Sequence, residues 1–441
     1  MKFRKLTAGL LSLVLSFSLA ACNTDTSGDN TDTSANQGEV EENVDSGKED
    51  ESNGEKVEIT FIPSKVEAQE QFEEIAKTYN ESQDKTEITT LGVAGDSITT
   101  VLQSNFAADP ASAPTIFAIS GPSASGFERF FADLSDMEAA KKLSESFTDE
   151  VTNDEGQIVG LPSAVEGYGF IYNVQMFEDA GIDPKSLDNM DDFVAALKTL
   201  SEVDGVESPI AFSEEEYFLF IHFFNWAVAL EDNYQDVMAE VNAGEKKLSD
   251  LDMVQKWAKA LDEIKPYTNG GLNTYDEQVA GFANGKFAMI HQGNWAQSVL
   301  EDNNVDFEYD YLPYPLDGNT ALAVGTSNAW RVNNKASEAQ QTAAKEFLDW
   351  LITSDEGQKL SAEKLGFIPA YKDVQVPEGG LSEAVSAYVN DANTVDWAFN
   401  SVFPAGIEVD GARLMQDYYA DRITSDELLE ELSTTWADRA K

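Results

Sequence analysis

Cysteine and histidine are nearly absent from this chain. Among 441 residues there is one cysteine, Cys22, and there are two histidines, His222 and His291. A disulfide framework, a Cys/His zinc site and a Cys-His nucleophilic pair all need more of these side chains than the sequence supplies. We therefore exclude these three kinds of site, and we expect no bound metal.

Recognisable catalytic and cofactor motifs are missing as well. The sequence contains no Gly-x-Ser-x-Gly elbow, no His-Glu-x-x-His motif, no Walker loop and no complete Gly-x-Gly-x-x-Gly fingerprint. We therefore expect no cofactor, and we assign no catalytic residue. A carboxylate pair for glycoside hydrolysis has no motif of its own, so this enzyme class stays open among the 80 acidic residues.

Positive charge is scarce. The chain has 29 lysines and arginines against 80 aspartates and glutamates, which gives a formal charge of -51 at pH 7. Nucleic acids and anionic lipids bind basic patches, so we exclude nucleic acid as a partner and expect no basic contact with a membrane surface. Hydrophobic residues still make up 42% of the chain. Because 441 residues exceed one ordinary core, we expect two domains or lobes.

The N-terminus has the layout of a secretory signal, with basic residues, an apolar run at 10–19 and small residues before Cys22. The stretch LAAC at 19–22 resembles the lipobox of bacterial lipoproteins, in which the cysteine becomes an acylated N-terminus. This resemblance implies that residues 1–21 are a signal peptide and that Cys22 carries lipid. The protein would then be tethered to the outer face of the cell membrane of a Gram-positive bacterium. The alternative is an ordinary signal peptide with an incidental cysteine.

Residues 22–55 differ sharply in composition from the chain after them. This stretch is Thr, Asp, Ser, Asn, Gly and Glu with little to bury, so we predict a disordered acidic tether. From residue 57 the apolar positions alternate, which predicts a strand, and a helix with one apolar face follows. Further strands are predicted at 86–91 and 115–119. This alternation of strand and helix predicts a parallel sheet in an α/β fold.

The later part of the chain alternates long helices with short strands. Residues 287–290 are apolar and predict a buried strand that ends in His-Gln-Gly-Asn-Trp, and residues 321–324 are another strand candidate. The sequence TSDE at 353–356 predicts a capping box, with Thr353 as the cap residue of the helix that follows.

Five segments resemble, in their order and spacing, the extracellular solute-binding lipoproteins (family 1, carbohydrate type) of bacterial ATP-driven sugar importers. They are LPSAVEGYGFIYN at 161–173, FEDAGI at 177–182, GKFAMIHQGNW at 285–295, the block at 347–357, and LGFIP at 365–369. The resemblance covers the chain from about residue 57 to its C-terminus. It implies a periplasmic-binding-protein-like α/β fold with two lobes, hinge segments and a ligand cleft between the lobes.

The resemblance also implies how the chain is divided and what it does. Lobe 1 would take residues 56–162 and 320–364, and lobe 2 would take residues 163–319 and 365–441. The protein would be a monomeric, non-enzymatic receptor that captures a neutral mono- or oligosaccharide. It would deliver this sugar to the transmembrane subunits of an ABC permease.

Two alternatives stay open beside the sugar receptor. A secreted glycoside hydrolase or lyase would need a carboxylate pair and would turn the sugar over. A receptor of the same fold could instead take a peptide or a polyamine. A metal complex is the least favoured ligand, because His, Cys and Met are scarce.

Trp295 is the leading candidate for contact with a sugar. An indole covers the apolar C-H face of a pyranose ring, while amide, hydroxyl and carboxylate side chains bond to its hydroxyls. Gly293 is predicted to turn the backbone into the cleft. Because His291 and Gln292 alternate along the strand, at most one of them is expected to face the ligand. The alternative for Trp295 is a core position at the start of a helix.

The other candidate ligand-binding residues come from strand ends and from aromatic residues in polar segments. Trp226 is equally compatible with a core position, and Glu166 with a solvated one. The set comprises Ser64, Lys65, Ser120, Glu166, Tyr168, Asn225, Trp226, His291, Gln292, Asn294, Asn328, Trp397 and Phe403.

Overall fold

The computed structural model describes residues 56–63, 68–92, 98–268 and 271–441. The predicted signal peptide, the acidic tether and three candidate residues, Cys22, Ser64 and Lys65, lie outside the described residues. Within the described ranges, no helix combines the length and the apolar character that crossing a membrane requires. These ranges all belong to one structural unit of the chain.

Eleven strands and sixteen helices occur in the described residues. The strands are β1 (Val57–Ile62), β2 (Thr86–Thr90), β3 (Ile116–Ala118), β4 (Leu161–Pro162), β5 (Val165–Asn173), β6 (Ser208–Ala211), β7 (Phe287–Gly293), β8 (Tyr309–Leu312), β9 (Leu322–Thr326), β10 (Ala329–Val332) and β11 (Thr394–Asp396). The helices are α1 (Gln69–Ser82), α2 (Ile98–Ala108), α3 (Glu138–Lys142), α4 (Val174–Asp179), α5 (Met190–Leu200), α6 (His222–Ala229), α7 (Tyr234–Asn242), α8 (Asp252–Ile264), α9 (Tyr275–Ala283), α10 (Gln297–Asp302), α11 (Glu338–Thr353), α12 (Asp355–Leu360), α13 (Gly380–Asn390), α14 (Phe399–Val402), α15 (Ile407–Tyr419) and α16 (Ser425–Arg439).

The first sheet has the strand order β2-β1-β3-β10-β4. Strand β1 pairs in parallel with β2 and β3, whereas β10 runs antiparallel to β3 and β4. Side chains of β1 alternate between the two faces of the sheet, and Phe61 packs against Phe72 of α1 and Phe347 of α11. Ile62, on the other face, joins a smaller core with Leu102 of α2. The predicted α/β start with parallel strands is therefore confirmed.

The second sheet has the order β11-β9-β5-β7-β6, and β8 also pairs with β5. The central strand β5 is antiparallel to β7, β8 and β9. On one face of β5, Tyr168 and Phe170 join a large aromatic core that includes residues of α6, α8, α15 and α16. On the other face a Cβ atom at Gly167 would lie 2.8 Å from Val385. This glycine therefore lets helix α13 pack directly on the strand.

The chain passes between the two sheets at 163–164 and again at 327–328. Strand β9 bonds to β5 and β11 of the second sheet, which corrects the predicted assignment of 320–326 to lobe 1. Residues 370–372 bond to 142–144 beside α3, so the predicted start of the second lobe 2 segment at 365 is also too early. The division into lobes stays a proposal, with its crossings moved to these positions.

The helix after Thr353 begins one residue later than predicted. Thr353 is the last residue of α11, and its Oγ1 donates to the carbonyl oxygen of Asp349 at 2.7 Å. Ser354 caps α12 instead, because its Oγ accepts from the Gly357 N-H at 3.0 Å. The predicted capping box between Thr353 and Glu356 is therefore wrong.

Strand β2 forms one edge of the first sheet, and side-chain amides cover part of that edge. The Asn80 amide accepts from the Ile88 N-H at 2.8 Å and donates to the Ile88 carbonyl at 2.9 Å. The Gln83 amide makes the same two bonds with Thr86, each of 2.8 Å. Because alternate residues of an edge strand direct their backbone groups outward, each amide takes the place of a further strand.

Candidate functional site

A cavity of about 730 Å³ lies where the start of α1, the end of β7 and the segment after α12 meet. Its volume is within the range of small-molecule sites, roughly 300 to 1,000 Å³. Glu166 of β5 and Trp295 both contribute to its wall. The remaining lining residues are Ala68, Gln71, Asn294, Gln297, Ser298, Glu301, residues 362–367, residues 375–380 and Ser382.

Trp295 reaches the cavity because β7 continues through Gly293 before a short turn at Asn294–Ala296. The indole lies over Gly293, where a Cβ atom would be 2.3 Å from the ring. Gly293 is extended, with φ of -114°, so the turn predicted for it is wrong. The close approach of the ring is what requires glycine at this position. Phe218 stacks on the half-buried indole, with ring centroids 5.7 Å apart.

The N-H of this indole bonds to the protein interior. Nε1 of Trp295 donates to Gln292 Oε1 at 2.7 Å, and Gln292 Nε2 donates to Gln278 Oε1 at 2.8 Å. Gln278 Nε2 in turn donates to the carbonyl oxygen of Ala211 at 2.7 Å. Gln278 and Gln292 are 0% and 1% exposed. Gln292 therefore supports Trp295 from behind and does not line the cavity, and direct contact of Gln292 with a ligand stays a prediction.

Glu166 and Asn294 bring polar atoms to the same wall. Glu166 is buried in the fold although it lines the cavity. Asn294 Oδ1 accepts from the Gly167 N-H at 3.0 Å, and Asn294 Nδ2 donates to Ser382 Oγ at 3.4 Å. These bonds join the end of β7 to β5 and α13, so the wall around Trp295 is held by three elements.

Carboxylates outnumber cations around the cavity. Four of them line it, at Glu166, Glu301, Glu363 and Glu378. Among the lining residues that the structure describes, Lys364 is the one basic side chain. Its Nζ lies 3.2 Å from a carboxylate oxygen of Glu74 on α1. The described wall therefore carries an excess of negative charge.

A family model covers most of the described chain. The model of the bacterial extracellular solute-binding proteins matches residues 74–390. The chain belongs to this family. Its description, and the names of the curated relatives, are those of extracellular binding proteins rather than of enzymes.

Two curated relatives illustrate how far the similarity of this solute-binding protein extends. One is a maltooligosaccharide ABC transporter solute-binding lipoprotein of Streptococcus pneumoniae, 23% identical over 243 residues, which are 54% of this chain and 55% of the relative. The other is the xylose/arabinose-binding protein XacG of Haloferax volcanii, 26% identical over 270 residues, which are 57% of this chain and 56% of the relative. The chain thus spans about half the length of the curated relatives it matches.

Solved structures share the fold of this solute-binding protein over nearly its whole described length. A chitin oligosaccharide binding protein has a TM-score of 0.71 at 22% identity and covers 88% of this chain and 100% of its own. RafE of Streptococcus pneumoniae in complex with raffinose has a TM-score of 0.71 at 16% identity and covers 87% and 100%. At these identities the likeness shows the fold alone. The predicted two-lobe α/β class is confirmed.

Two predicted ligand contacts of the solute-binding protein lie in its aromatic core. Trp226 and Tyr168 are both 0% exposed, and their ring centroids are 5.8 Å apart. Tyr314 contacts Trp226 from another side. Burial raises the pKa of Tyr168 well above its usual value, so its hydroxyl stays neutral. Neither residue lines the cavity, and contact of Trp226 and Tyr168 with a ligand stays a prediction.

His291 and Asn225 are also interior. His291 is 1% exposed and contacts the rings of Phe170 and Phe212. Burial lowers its pKa to about 3, so the imidazole is neutral at pH 7. Asn225 Nδ2 donates to the carbonyl oxygen of Asp396 at 3.0 Å, which ties α6 to β11. Neither residue lines the cavity, and contact of His291 and Asn225 with a ligand stays a prediction.

Trp397 and Phe403 pack in the same aromatic core. Trp397 is buried and packs over Gly325, where a Cβ atom would lie 2.5 Å from the indole. Phe403 is buried against Trp436, with ring centroids 4.8 Å apart. The cleft role predicted for the two aromatic residues rested on the polar sequence around them. Both rings are buried and neither lines this cavity, so that role stays a prediction.

Ser120 and Asn328 lie close to the passages between the sheets but not on this cavity. Both are half-buried. The Asn328 carbonyl accepts from the N-H of Ser163 at 2.8 Å and from its Oγ at 3.1 Å, which joins the two passages. Contact of Ser120 and Asn328 with a ligand stays a prediction.

Several cavity residues carried no signal in the sequence. Gln71 lies in the first turn of α1, and Gln297 Oε1 accepts from the Leu381 N-H at 2.9 Å at the start of α13. These positions are helix starts, whereas the prediction looked to strand ends. Gly379 and Gly380 both have positive φ, so the sequence PEGG at 377–380 could have marked a turn. It could not have shown that this turn meets Trp295.

Proposed function

We propose that this chain captures a neutral mono- or oligosaccharide in the cavity beside Trp295 and is the substrate-binding component of an ABC importer. The observation that carries the proposal is the half-buried indole on the wall of a cavity that also presents Glu166 and several amides. The family of the chain supports a binding role. The sugar and the importer are our inference for this chain.

The chemistry of the wall fits a pyranose ring. The C-H groups on the face of the ring pack against an indole, and the hydroxyls on its edge bond to carboxylate and amide groups. Trp295 lines the cavity while its N-H is bonded inward. Gln71 Oε1 is buried and accepts no hydrogen bond from the described chain.

The charge of the wall favours a neutral sugar over an acidic one. Four carboxylates face a single lysine, and this lysine is already close to Glu74. A uronate would bring a further negative charge into this field, and like charges across an interface oppose binding. A neutral oligosaccharide meets no such opposition.

Relatives support the transport part of the proposal. The Streptococcus pneumoniae relative is named as a lipoprotein of a maltooligosaccharide ABC transporter. We infer for this chain a lipid on Cys22, a position on the outer face of the membrane of a Gram-positive bacterium, and delivery to permease transmembrane subunits. Two acyl chains would hold a monomer stably at the surface.

The passages between the sheets suggest how capture occurs. Segments that link two lobes bend during hinge closure. In this structure Asn400 Nδ2 donates to the Thr326 carbonyl at 3.2 Å, and Gly121 lies against the same asparagine. We infer that the contact of α14 with residues 121–124 forms when the lobes close and breaks when they open.

Thermal unfolding of the purified protein with a panel of ligands tests the function. The panel is maltotriose, raffinose, diacetylchitobiose, xylobiose, digalacturonate, spermidine and a tripeptide. A ligand at 100 times its dissociation constant stabilises the folded state by about 2.7 kcal/mol, which shifts the midpoint by several degrees. We expect a neutral sugar to do this and to be recovered intact.

Other outcomes of the panel would contradict the proposal in distinguishable ways. A cleaved sugar would favour a glycoside hydrolase. A shift with spermidine or the tripeptide alone would keep the fold and overturn the sugar. A shift with digalacturonate alone would overturn the argument from charge.

Trp295→Ala tests whether the indole is the ligand platform. We expect the sugar that binds to lose about ten-fold or more in affinity, because a central aromatic contact contributes more than about 1 kcal/mol. Trp350→Ala is the matched control, since Trp350 is also half-buried but packs on Tyr79 beside the first sheet. Isothermal titration should show the loss in the first variant alone. Equal affinities in the two variants would remove Trp295 from the site.

A further inference from the structure

A buried chain of side-chain amides runs from the cavity wall into the second sheet. It starts at the Trp295 N-H, passes through Gln292 and Gln278, and ends at the carbonyl oxygen of Ala211 at the end of β6. All three hydrogen bonds are between 2.7 and 2.8 Å long. Both glutamines are almost wholly buried, so water does not compete for these bonds.

The two ends of this amide chain fix its direction. An indole nitrogen can only donate, and a backbone carbonyl can only accept. Gln278 must therefore point its NH₂ group at Ala211, which leaves its oxygen for Gln292. Gln292 must then point its own oxygen at Trp295. Neither amide can rotate by half a turn without placing two donors or two acceptors against each other.

We propose that Gln278 and Gln292 are positioning residues that set the orientation of the Trp295 indole for the ligand. This inference rests on the proposed sugar-binding function. Trp295 is on the cavity wall, whereas Gln278 lies two hydrogen bonds behind it and does not line the cavity. With its N-H committed inward, the indole offers ring carbons to a sugar and leaves the hydroxyls to other side chains.

Contacts around the ring are consistent with one enforced orientation. Phe218 is nearly parallel to the indole, with an interplanar angle of 16°, and Gly293 leaves no gap beneath it. The aromatic contacts restrict the plane of the ring, and the amide chain selects the edge that turns inward. A wrongly turned indole would place its N-H in the cavity, break its hydrogen bond to Gln292 and leave the buried Gln292 oxygen without that donor.

Gln278→Met, made both in the parent and in Trp295→Phe, is the central experiment. Methionine keeps the length of the side chain and removes both amide bonds. We expect Gln278→Met to weaken binding of the sugar identified by the panel about three- to ten-fold in the parent. In the Trp295→Phe background, where no indole N-H exists, the same substitution should change affinity less than about two-fold. Gln341→Met is the matched control. Gln341 of α11 also donates its side-chain amide to a backbone carbonyl, that of Ala336, at 2.8 Å.

Two spectroscopic readouts do not depend on any ligand. Acrylamide should quench the tryptophan fluorescence of the Gln278→Met variant more strongly than that of the parent. In the Trp295→Phe background, Gln278→Met should cause no such increase in quenching. The NMR resonance of the Trp295 indole N-H is the one that disappears in Trp295→Phe. In the parent, this proton should exchange with deuterium at least about a hundred-fold more slowly than the N-H of free indole. The exchange experiment needs no folded glutamine variant.

The outcomes separate this inference from the proposed function. An equal loss of affinity in both backgrounds, or no loss in either, would overturn the positioning role while sugar binding stands. Exchange as fast as that of free indole would also overturn it. If no sugar of the panel binds the parent, the proposed function fails and the claim on ligand orientation fails with it.

Discussion

The aromatic core behind β5 and the cavity rim at the end of β7 use tryptophan in opposite ways. In the core, Trp226 is 0% exposed and touches other rings. At the rim, Trp295 is half-buried and lines the cavity, and its indole N-H is bonded to a buried glutamine. The two residues have the same side chain, and each stands in the same tripeptide, Asn-Trp-Ala.

The two tryptophans are held differently, and we propose that a buried hydrogen bond to the indole N-H indicates a ligand-contacting tryptophan better than aromatic character does. Core rings are held by neighbours on every side, so they need no directional bond. Trp295 is only half-buried, so packing restrains its ring less, and the hydrogen bonds of Gln292 and Gln278 add to that restraint. The comparison can be tested at positions where stability and binding should respond differently.

Trp226→Ala should have the largest effect on stability. Truncating a fully buried tryptophan costs about 3 to 5 kcal/mol, because it removes apolar burial and leaves a cavity. Trp295→Ala should cost less than half as much, since its ring is only half-buried. Urea unfolding followed by circular dichroism measures both values. Equal losses in the two variants would show that the core and the rim are not distinct.

Gly293→Ala should have an intermediate effect on stability and should also affect the cavity. The added methyl group would lie 2.3 Å from the Trp295 ring, and the ring cannot move aside without breaking its bond to Gln292. We expect a loss of about 1 to 3 kcal/mol, the usual cost of overpacking, together with weaker ligand binding. Gly271→Ala is the control, because no atom of the described residues lies within 4 Å of a Cβ atom there. Unchanged stability and affinity in Gly293→Ala would refute the close contact.

His291 should give the smallest effect, visible only in acid. Its pKa in the folded protein is about 3, below the ordinary value of about 6.5, because burial disfavours the charged imidazole. The unfolded chain therefore takes up a proton that the folded chain does not, so this stability is complete above pH 6.5 and is lost as the pH falls toward 3. At pH 5.5 the loss is about 1.4 kcal/mol.

His291→Phe isolates this contribution from that of the many carboxylates. Phenylalanine keeps an aromatic ring beside Phe170 and Phe212 and removes the titrating group. The difference in unfolding free energy between variant and parent, measured in urea at pH 7.5 and at pH 5.5, should grow by about 1.4 kcal/mol in favour of the variant. A difference that does not change with pH would mean that the imidazole is not buried as a neutral group.

The sequence was sufficient for elements whose signal is local. Alternation in Val57–Ile62 predicted β1, and the apolar positions of α8 that include Trp257 and Leu261 are buried as a helical face requires. The parallel start of the fold followed from the alternation of strands and helices. These features depend on residues close together in the chain.

The sequence was insufficient where distant segments decide the outcome. Trp397 lies in a polar stretch, yet it packs over Gly325, which is distant in the chain. Strand β9 could have joined either sheet, and only its pairing with β5 and β11 assigns it to the second. Gln292 has a surface-like side chain in a strand, and its burial depends on Gln278 of helix α9. No periodicity within one segment contains such information.

The amides of Asn80 and Gln83 along β2 have a consequence for how copies of the protein meet. An open strand edge is a template on which the next molecule can add its own strand, and repeated addition leads to fibres. Here the backbone groups of Thr86 and Ile88 are already occupied. Together with the mutual repulsion of chains that carry a formal charge of -51, this blocked edge disfavours polymerisation even where many copies crowd together.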